Sequence, residues 1–240
     1  MKVVISQSMF FPWVGFLEQL KMADVYVFYD DVQLSKGGFT NRVQVKANDG
    51  VRWMTVPLAG HKMGQVIEEV NIKPKQEWVN RHVALLEQNL GNTEHFGEAL
   101  ELVKSVYNRE HDGLASLARD SLTALADYFG ICTETRFIDV AELGIDGASS
   151  QRVYEVVRVL GGTEYITGHG ARNYLDHQLF ESAGIQVKYM AYECREYPQQ
   201  HGAFTPYVSS LDLIANCGKA GAPCICSDAV YWKEFLDESN

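Results

Sequence analysis

The densest set of reactive side chains follows an apolar run that ends near residue 29. Its polar members are Asp30, Asp31, Gln33, Lys36, Asn41 and Arg42. In a cleft, Asp31 can act as a general base or bind a sugar hydroxyl, and Lys36 and Arg42 can hold phosphates. The alternative is a charged hairpin edge that keeps a sheet from aggregating.

Two glycine-containing loops follow predicted strands and are candidate ligand contacts. The first, residues 7–16, contains Gln7, Trp13 and Gly15. A glycine at a helix start lets a ligand approach the backbone, and the helix N-terminus favours a phosphate or carboxylate. The second contains Gly168 and His169, a candidate base at the end of a later strand. The alternatives are a packed aromatic turn and an ordinary exposed loop histidine.

Other candidates lie on a helix and in a long loop. His82 shares the apolar face of a predicted helix with Trp78; it is either a core histidine or a base near neutral pKa. The loop from 193 to 206 is predicted to bind substrate through Tyr197, Gln199 and Phe204, or to be a packed Ω-loop. Asp212 either faces the cleft or serves as an acid early in its helix.

Composition excludes several classes of protein. The net charge of -10 argues against a nucleic-acid binder, and no apolar run is long enough to span a membrane. Five cysteines without an export signal predict free thiols in the cytoplasm. The spacing of Cys217, Cys224 and Cys226 lacks the paired pattern of a zinc site, so we expect no metal.

The elements that position these residues predict an α/β fold. Strand, loop, helix and strand occupy the first thirty or so residues, and a second such unit spans Glu164 to Tyr192. We therefore expect one domain, 1–240, with a Rossmann-like parallel sheet and flanking helices. A β-hairpin excursion is expected at about 37–58 and a helical middle segment at about 76–130. In such sheets, ligands bind at the carboxyl ends of the strands.

The start of the chain is also similar to the phosphate-binding start of the nucleotidylyltransferase superfamily. There, a His-x-Gly-His signature opens the first helix, and here Trp13-Val14-Gly15-Phe16 stands in its place. Both histidines that stabilise the transferring phosphate are absent. Nucleotidyl transfer therefore stays only as an alternative.

Nearly the whole chain resembles the WbqC-like family. The N-terminal matches are Ile5-Ser6-Gln7, Phe11-Pro12-Trp13-Val14-Gly15-Phe16, Asp30-Asp31-Val32-Gln33, Lys36 and Asn41-Arg42. The later matches are Trp53 with Thr55-Val56-Pro57, Trp78 with His82, Gly168 with Tyr174-Leu175, Tyr197 with Gln199, Phe204 with Pro206, and Ser209 with Leu211-Asp212. One departure is Ser8, where the family usually has proline.

The resemblance implies work on O-antigen and other lipopolysaccharide sugars. We expect an enzyme that transfers an acyl or aminoacyl group to the amine of a nucleotide-linked amino sugar, with ATP or an acyl-CoA as co-substrate. Gly15 would hold a phosphate or carboxylate, Lys36 and Arg42 the diphosphate, and Asp31, His82 or His169 would be the base. The alternative is a non-catalytic nucleotide-sugar binding or assembly protein.

Overall fold

A computed structural model describes residues 1–237 of the chain. Its strands are β1 (Lys2–Ser6), β2 (Val25–Phe28), β3 (Arg42–Ala47), β4 (Gly50–Thr55), β5 (Leu58–Ala59), β6 (Asn71–Ile72), β7 (Arg136–Asp139), β8 (Glu164–Thr167), β9 (Gln186–Met190) and β10 (Ala229–Tyr231). Its helices are α1 (Val14–Lys21), α2 (Val79–Leu90), α3 (Phe96–Tyr107), α4 (Leu114–Phe129), α5 (Ser149–Val159), α6 (His177–Ser182), α7 (Ser210–Cys217) and α8 (Trp232–Asp237). None of these helices is both long and apolar enough to cross a bilayer.

The central sheet has six strands in the order β10-β9-β8-β1-β2-β7. All neighbours are parallel except β10, which runs antiparallel to β9. The chain moves outward from β1 to β2 and β7, and then returns to the other side of β1 with β8 and β9. The strand order therefore reverses between β1 and β8, which is where a doubly wound sheet leaves a crevice for ligands.

Both faces of the sheet are buried, and alternate residues of each strand point to opposite faces. Val4 and Tyr26 pack with α1, the helical middle segment and α7. Val3 and Val25 pack with α5 and α6 on the other face. This double burial explains why the strands read as continuous apolar runs in the sequence.

The α/β class, the parallel sheet, the hairpin and the helical middle segment are confirmed. The hairpin's paired residues run only from Arg42 to Thr55. The apolar pattern from 66 to 72 predicts a short strand, and this prediction is wrong over most of its length, since Ile67–Glu69 forms a 3-10 turn and only β6 pairs, with β5.

Two helix starts differ from the prediction. The sequence from Arg172 to Ala183 predicts one helix. The segment begins instead as a 3-10 turn, His169–Asn173, and α6 starts only where the Asp176 side chain accepts from the amides of Gln178 and Leu179. Ser149 and Ser150 are predicted to cap a helix from Gln151, but the N-cap of α5 is Ala148, without a side-chain cap. Ser150 instead donates to the Tyr174 carbonyl at 2.9 Å and accepts from the Asp176 amide at 2.7 Å.

Candidate functional site

A cavity of about 770 Å³ opens at the carboxyl ends of β1 and β8, where the strand order reverses. Ser6 and Gln7 line it from the end of β1, and Thr167, Gly168 and His169 line it from the end of β8. Its volume lies within the range that holds small molecules and cofactors, about 300–1,000 Å³. We call this cavity the cleft.

Aromatic rings form much of the wall of the cleft. These rings belong to Trp13, Tyr29, Tyr174 and Tyr192. The Trp13 ring lies 5.1 Å from that of Tyr192, and Tyr174 is exposed. Aromatic faces of this kind stack on bases and on the apolar faces of sugars.

Two cleft residues have a strained backbone. Tyr192 has φ 42° and Ser149 has φ 54°, a region that non-glycine residues rarely adopt. The Tyr192 hydroxyl approaches Gly168 so closely that a Cβ on Gly168 would lie 2.9 Å from it. Such conformations cost about 1–3 kcal/mol each and concentrate at ligand sites, where the fold holds them in place.

The cleft contains one ion pair, between Asp31 at the end of β2 and Arg152 on α5. The Arg152 guanidinium donates to both carboxylate oxygens, with Nη1 to Oδ1 at 2.9 Å, and also donates from Nε to the Ile145 carbonyl at 2.9 Å. It lies 4.9 Å from the centre of the Tyr29 ring. The pairing with Asp31 raises the pKa of Arg152 and fixes both side chains at the cleft wall.

His169 has one ring nitrogen committed and one available. Its Nε2 lies 2.7 Å from the Met190 carbonyl oxygen, which can only accept a hydrogen bond. Nε2 therefore carries the hydrogen, and in the neutral ring Nδ1 carries the lone pair. No other hydrogen bond engages this ring among residues 1–237. The ring is held between Tyr192 at 5.0 Å and Phe235 at 4.8 Å.

The two predicted phosphate contacts Lys36 and Arg42 lie outside the cleft, in the lining of a second cavity of about 540 Å³. We call it the basic cavity; its lining includes Gln33, Lys36, Asn41, Arg42, His61 and Met63. Arg42 donates to the carbonyls of Gly37 and Gly38 and lies 4.1 Å over the Trp53 ring. Gly15 was expected to hold a phosphate or carboxylate, and Lys36 and Arg42 the diphosphate. Lys36 and Arg42 line the basic cavity, whereas Gly15 lies under Trp13, which lines the cleft.

Asp30 is fully buried and anchors the loop after β1. It accepts from the Ser8 amide at 2.8 Å and the Ser8 hydroxyl at 2.6 Å, and it pairs with Arg119 at 2.7 Å. A proline in place of Ser8 has neither donor, so serine gives this loop two hydrogen bonds of its own. The geometry makes Asp30 a support for the cleft loop.

His82 is buried away from the cleft. Its Nε2 donates to the Thr55 carbonyl at 2.9 Å, and its Nδ1 accepts from the Tyr107 hydroxyl at 2.7 Å. Burial lowers the pKa of His82 to about 4. Both ring nitrogens are therefore engaged in joining α2 to β4 and α3.

The residues predicted in the long loop form a buried network beside β3. Lys46 donates to the Gln199 side chain at 3.0 Å and to the carbonyls of Gly202 and Ala203. Gln199 donates to the Tyr197 hydroxyl at 2.9 Å, and the Phe204 ring packs at 5.2 Å against that of Tyr197. Asp212 is almost fully buried nearby, and burial raises its pKa to about 6. This network fixes the loop.

Several cleft residues were not among the site candidates drawn from the sequence. They are Gln19, Tyr29, Ser149, Arg152, Tyr174 and Tyr192. Arg152 has the spacing of an ordinary surface helix residue, and its partner Asp31 is distant in sequence. Tyr174 was part of the family resemblance and was the one member of this set within reach. Among residues 1–237, no cluster of His, Cys, Asp or Glu could hold a metal ion.

Comparison with known proteins gives a family and no activity. The model of the WbqC-like protein family matches residues 7–223. The uncharacterized protein Rv1507c of Mycobacterium tuberculosis is 34% identical over 225 residues, covering 92% of this chain and 96% of that protein. No solved structure is significantly similar to the chain.

Proposed function

The chain belongs to the WbqC-like protein family, and from that premise we propose that it acylates the amine of a nucleotide-linked amino sugar in the cleft. The O-antigen setting comes from the family resemblance, which supports this class of substrate and a cytoplasmic protein. The acyl donor is a second substrate, either an acyl-CoA or an acyl-adenylate made from ATP.

The observation that carries the proposal is the position of His169 in the cleft. The cavity lies at the reversal point of a doubly wound sheet, the usual nucleotide position in such folds. At its mouth, His169 offers Nδ1 as a base because Nε2 is tied to Met190. A histidine in this state accepts a proton from an amine as the amine becomes a nucleophile.

The reaction then forms one carbon–nitrogen bond, breaks the bond to the leaving group and transfers one proton. The sugar nitrogen attacks the acyl carbonyl carbon and forms the amide bond. The bond from that carbon to the donor's sulfur or phosphate oxygen breaks, and the electron pair leaves with the thiolate or AMP. The proton lost by the nitrogen passes to Nδ1 of His169. Trp13, Tyr174 and Tyr192 contribute stacking surface for the nucleotide and sugar.

Thermal shift tests ligand class and site together. The panel is UDP-, GDP- and dTDP-linked sugars with and without an amino group. A ligand at one hundred times its Kd adds about 2.7 kcal/mol, which raises the Tm by about 5–10 °C for a chain of this size. We expect an amino-sugar nucleotide to give the largest shift.

Two glycine variants locate the binding site. Gly170 lines the cleft and Gly97 lies on α3, and a side chain at either position starts in open space. Gly170→Trp places a large side chain at the cleft wall and should abolish the shift, whereas Gly97→Trp should keep it. A flat panel for the wild-type protein, or a full shift in Gly170→Trp, contradicts the proposal.

A further inference from the structure

We propose that the basic cavity binds the phosphate-bearing acyl donor, so that the two substrates occupy two adjoining cavities. The identification of this ligand as the acyl donor rests on the proposed function. The binding of a phosphorylated ligand at the basic cavity stands on the geometry of that cavity alone.

The charge of the basic cavity is opposite to that of the chain. The chain has 31 acidic and 21 basic residues, yet no Asp or Glu lines this cavity among the described residues. Lys36, Arg42 and His61 all line it. Lys36 is exposed and makes no ion pair and no hydrogen bond within residues 1–237. An unpaired ammonium group without acidic neighbours favours an anion.

The backbone around Lys36 is held in shape before any ligand arrives. The Gly38 amide donates to the Ser35 carbonyl at 3.2 Å, and Gly37 has φ 79°, so the chain makes a tight turn with Lys36 near its tip. Arg42 clamps the turn through the carbonyls of Gly37 and Gly38. A cation on a fixed turn loses less entropy on binding than one on a mobile loop.

The basic cavity also has an apolar side. Leu34, Leu58 and Met63 line it, and the Met63 side chain is 94% exposed. A cavity that combines cations with exposed apolar surface fits a ligand with a phosphate at one end and an apolar arm or ring at the other. Coenzyme A thioesters and acyl-adenylates share this chemistry.

The two cavities share one stretch of chain. Asp31 and Val32 line the cleft, and the next two residues, Gln33 and Leu34, line the basic cavity. Val32 and Lys36 are four residue steps apart, so their backbones are separated by at most about 14 Å. A donor anchored at Lys36 therefore has a short distance to cover before its carbonyl carbon meets an amine in the cleft.

Isothermal titration calorimetry with two probes, coenzyme A and ATP, tests the site. The variant is Lys36→Ala, and the matched control is Lys62→Ala, which removes the same charge from an adjacent exposed loop residue that does not line the cavity. We expect at least one probe to bind the wild-type protein, and Lys36→Ala to weaken its Kd about tenfold. Lys62→Ala should leave that Kd within about twofold of the wild-type value. The probe that responds identifies the donor type.

Two results overturn the inference: neither probe binds at millimolar concentration, or Lys36→Ala binds as tightly as Lys62→Ala. A parallel titration with the amino-sugar nucleotide separates this failure from that of the proposed function. If the sugar nucleotide binds and neither probe responds to Lys36, only the donor site is wrong. If a probe responds to Lys36 and no sugar nucleotide binds, the anion site stands and the proposed function fails.

Discussion

At the scale of single residues, Glu18 is the group whose burial has the clearest energetic consequence. This α1 carboxylate is 1% exposed, and neither oxygen has a hydrogen-bond partner among the described residues. Burial raises its pKa to about 7, and the nearby Glu193 carboxylate adds to the effect. Because the folded pKa lies above the unfolded one, this group lowers stability as the pH rises from about 4.5 to about 7.

Replacing Glu18 by glutamine removes that dependence. We expect the free energy of unfolding of Glu18→Gln, relative to that of the wild-type protein, to increase by about 1–3 kcal/mol between pH 5 and pH 8. Urea unfolding at the two pH values measures the difference. The control is Glu87→Gln, on the exposed face of α2, which should show no such change. Equal pH profiles for the wild-type protein and Glu18→Gln would show that Glu18 is ionised at no cost.

The Asp31–Arg152 pair gives a second prediction at this scale. The Arg152 side chain is 9% exposed, so removing its partner leaves a nearly buried cation. Asp31→Ala should therefore lower the free energy of unfolding by about 1–3 kcal/mol, and adding Arg152→Met should recover part of the loss. The more exposed pair Glu155–Arg158 is the control, where Glu155→Ala should cost under about 1 kcal/mol. Strict additivity of the two substitutions would rule out the coupling.

One member of this pair, Asp31, could be predicted from the sequence. Asp31 follows an apolar strand, and a carboxylate at a strand's end is a recognisable candidate. Arg152 lies 121 positions away on a helix where a charged residue ordinarily faces water. No local pattern predicts which of the chain's guanidinium groups returns to Asp31, because the contact depends on the position of α5 relative to β2.

At the scale of elements, the start of α1 depends on a glycine for an unexpected reason. From the sequence, Gly15 was expected to admit a ligand to the backbone. In the structure the Trp13 indole lies over it, and a Cβ at position 15 would lie 2.2 Å from the ring. Gly15 lets Trp13 fold back onto its own helix and so helps to form the aromatic wall of the cleft.

Matched glycine substitutions test this packing. Gly15 and Gly97 are each the second residue of a helix, but only Gly15 meets a side chain there. Gly97→Ala should stabilise the protein by up to about 1 kcal/mol through helix propensity. Gly15→Ala should destabilise it by about 1–3 kcal/mol through overpacking and should change the tryptophan fluorescence. Stabilisation by both substitutions would mean that Trp13 does not lie on α1.

The elements were predictable where the local pattern and the tertiary environment agree. The two strand-helix-strand units, the hairpin and the Gly130 C-cap of α4 follow from periodicity and turn residues. The segment from 66 to 72 has an apolar strand pattern, yet Ile67 turns into the space beside α4, and Leu34 and Val70 join it there. Pattern alone does not distinguish a short strand from a buried 3-10 turn.

At the scale of the whole molecule, sheet topology decides which candidates can act together. The reversal of strand order brings the ends of β1 and β8 together and so unites Gln7 with His169 across the chain. The same topology leaves His82 between β4 and α3. From the sequence, Asp31, His82 and His169 were all candidates for the base. The geometry favours His169, since Asp31 is paired and both nitrogens of His82 are engaged.

The measurement that tests the central claim most directly is amide formation, followed by mass spectrometry. The wild-type protein is incubated with amino-sugar nucleotides and either acetyl-CoA or ATP with a carboxylic acid, and compared with two variants. His169→Gln removes the proposed base, and His201→Gln makes the same change at a loop histidine that also contacts a backbone carbonyl, that of Asn89. We expect product from the wild-type protein and His201→Gln, and a loss of about 100-fold or more in His169→Gln. The proposed reaction is contradicted if His169→Gln forms product at the wild-type rate. It is also contradicted if the wild-type protein binds a sugar nucleotide but forms no amide with either donor.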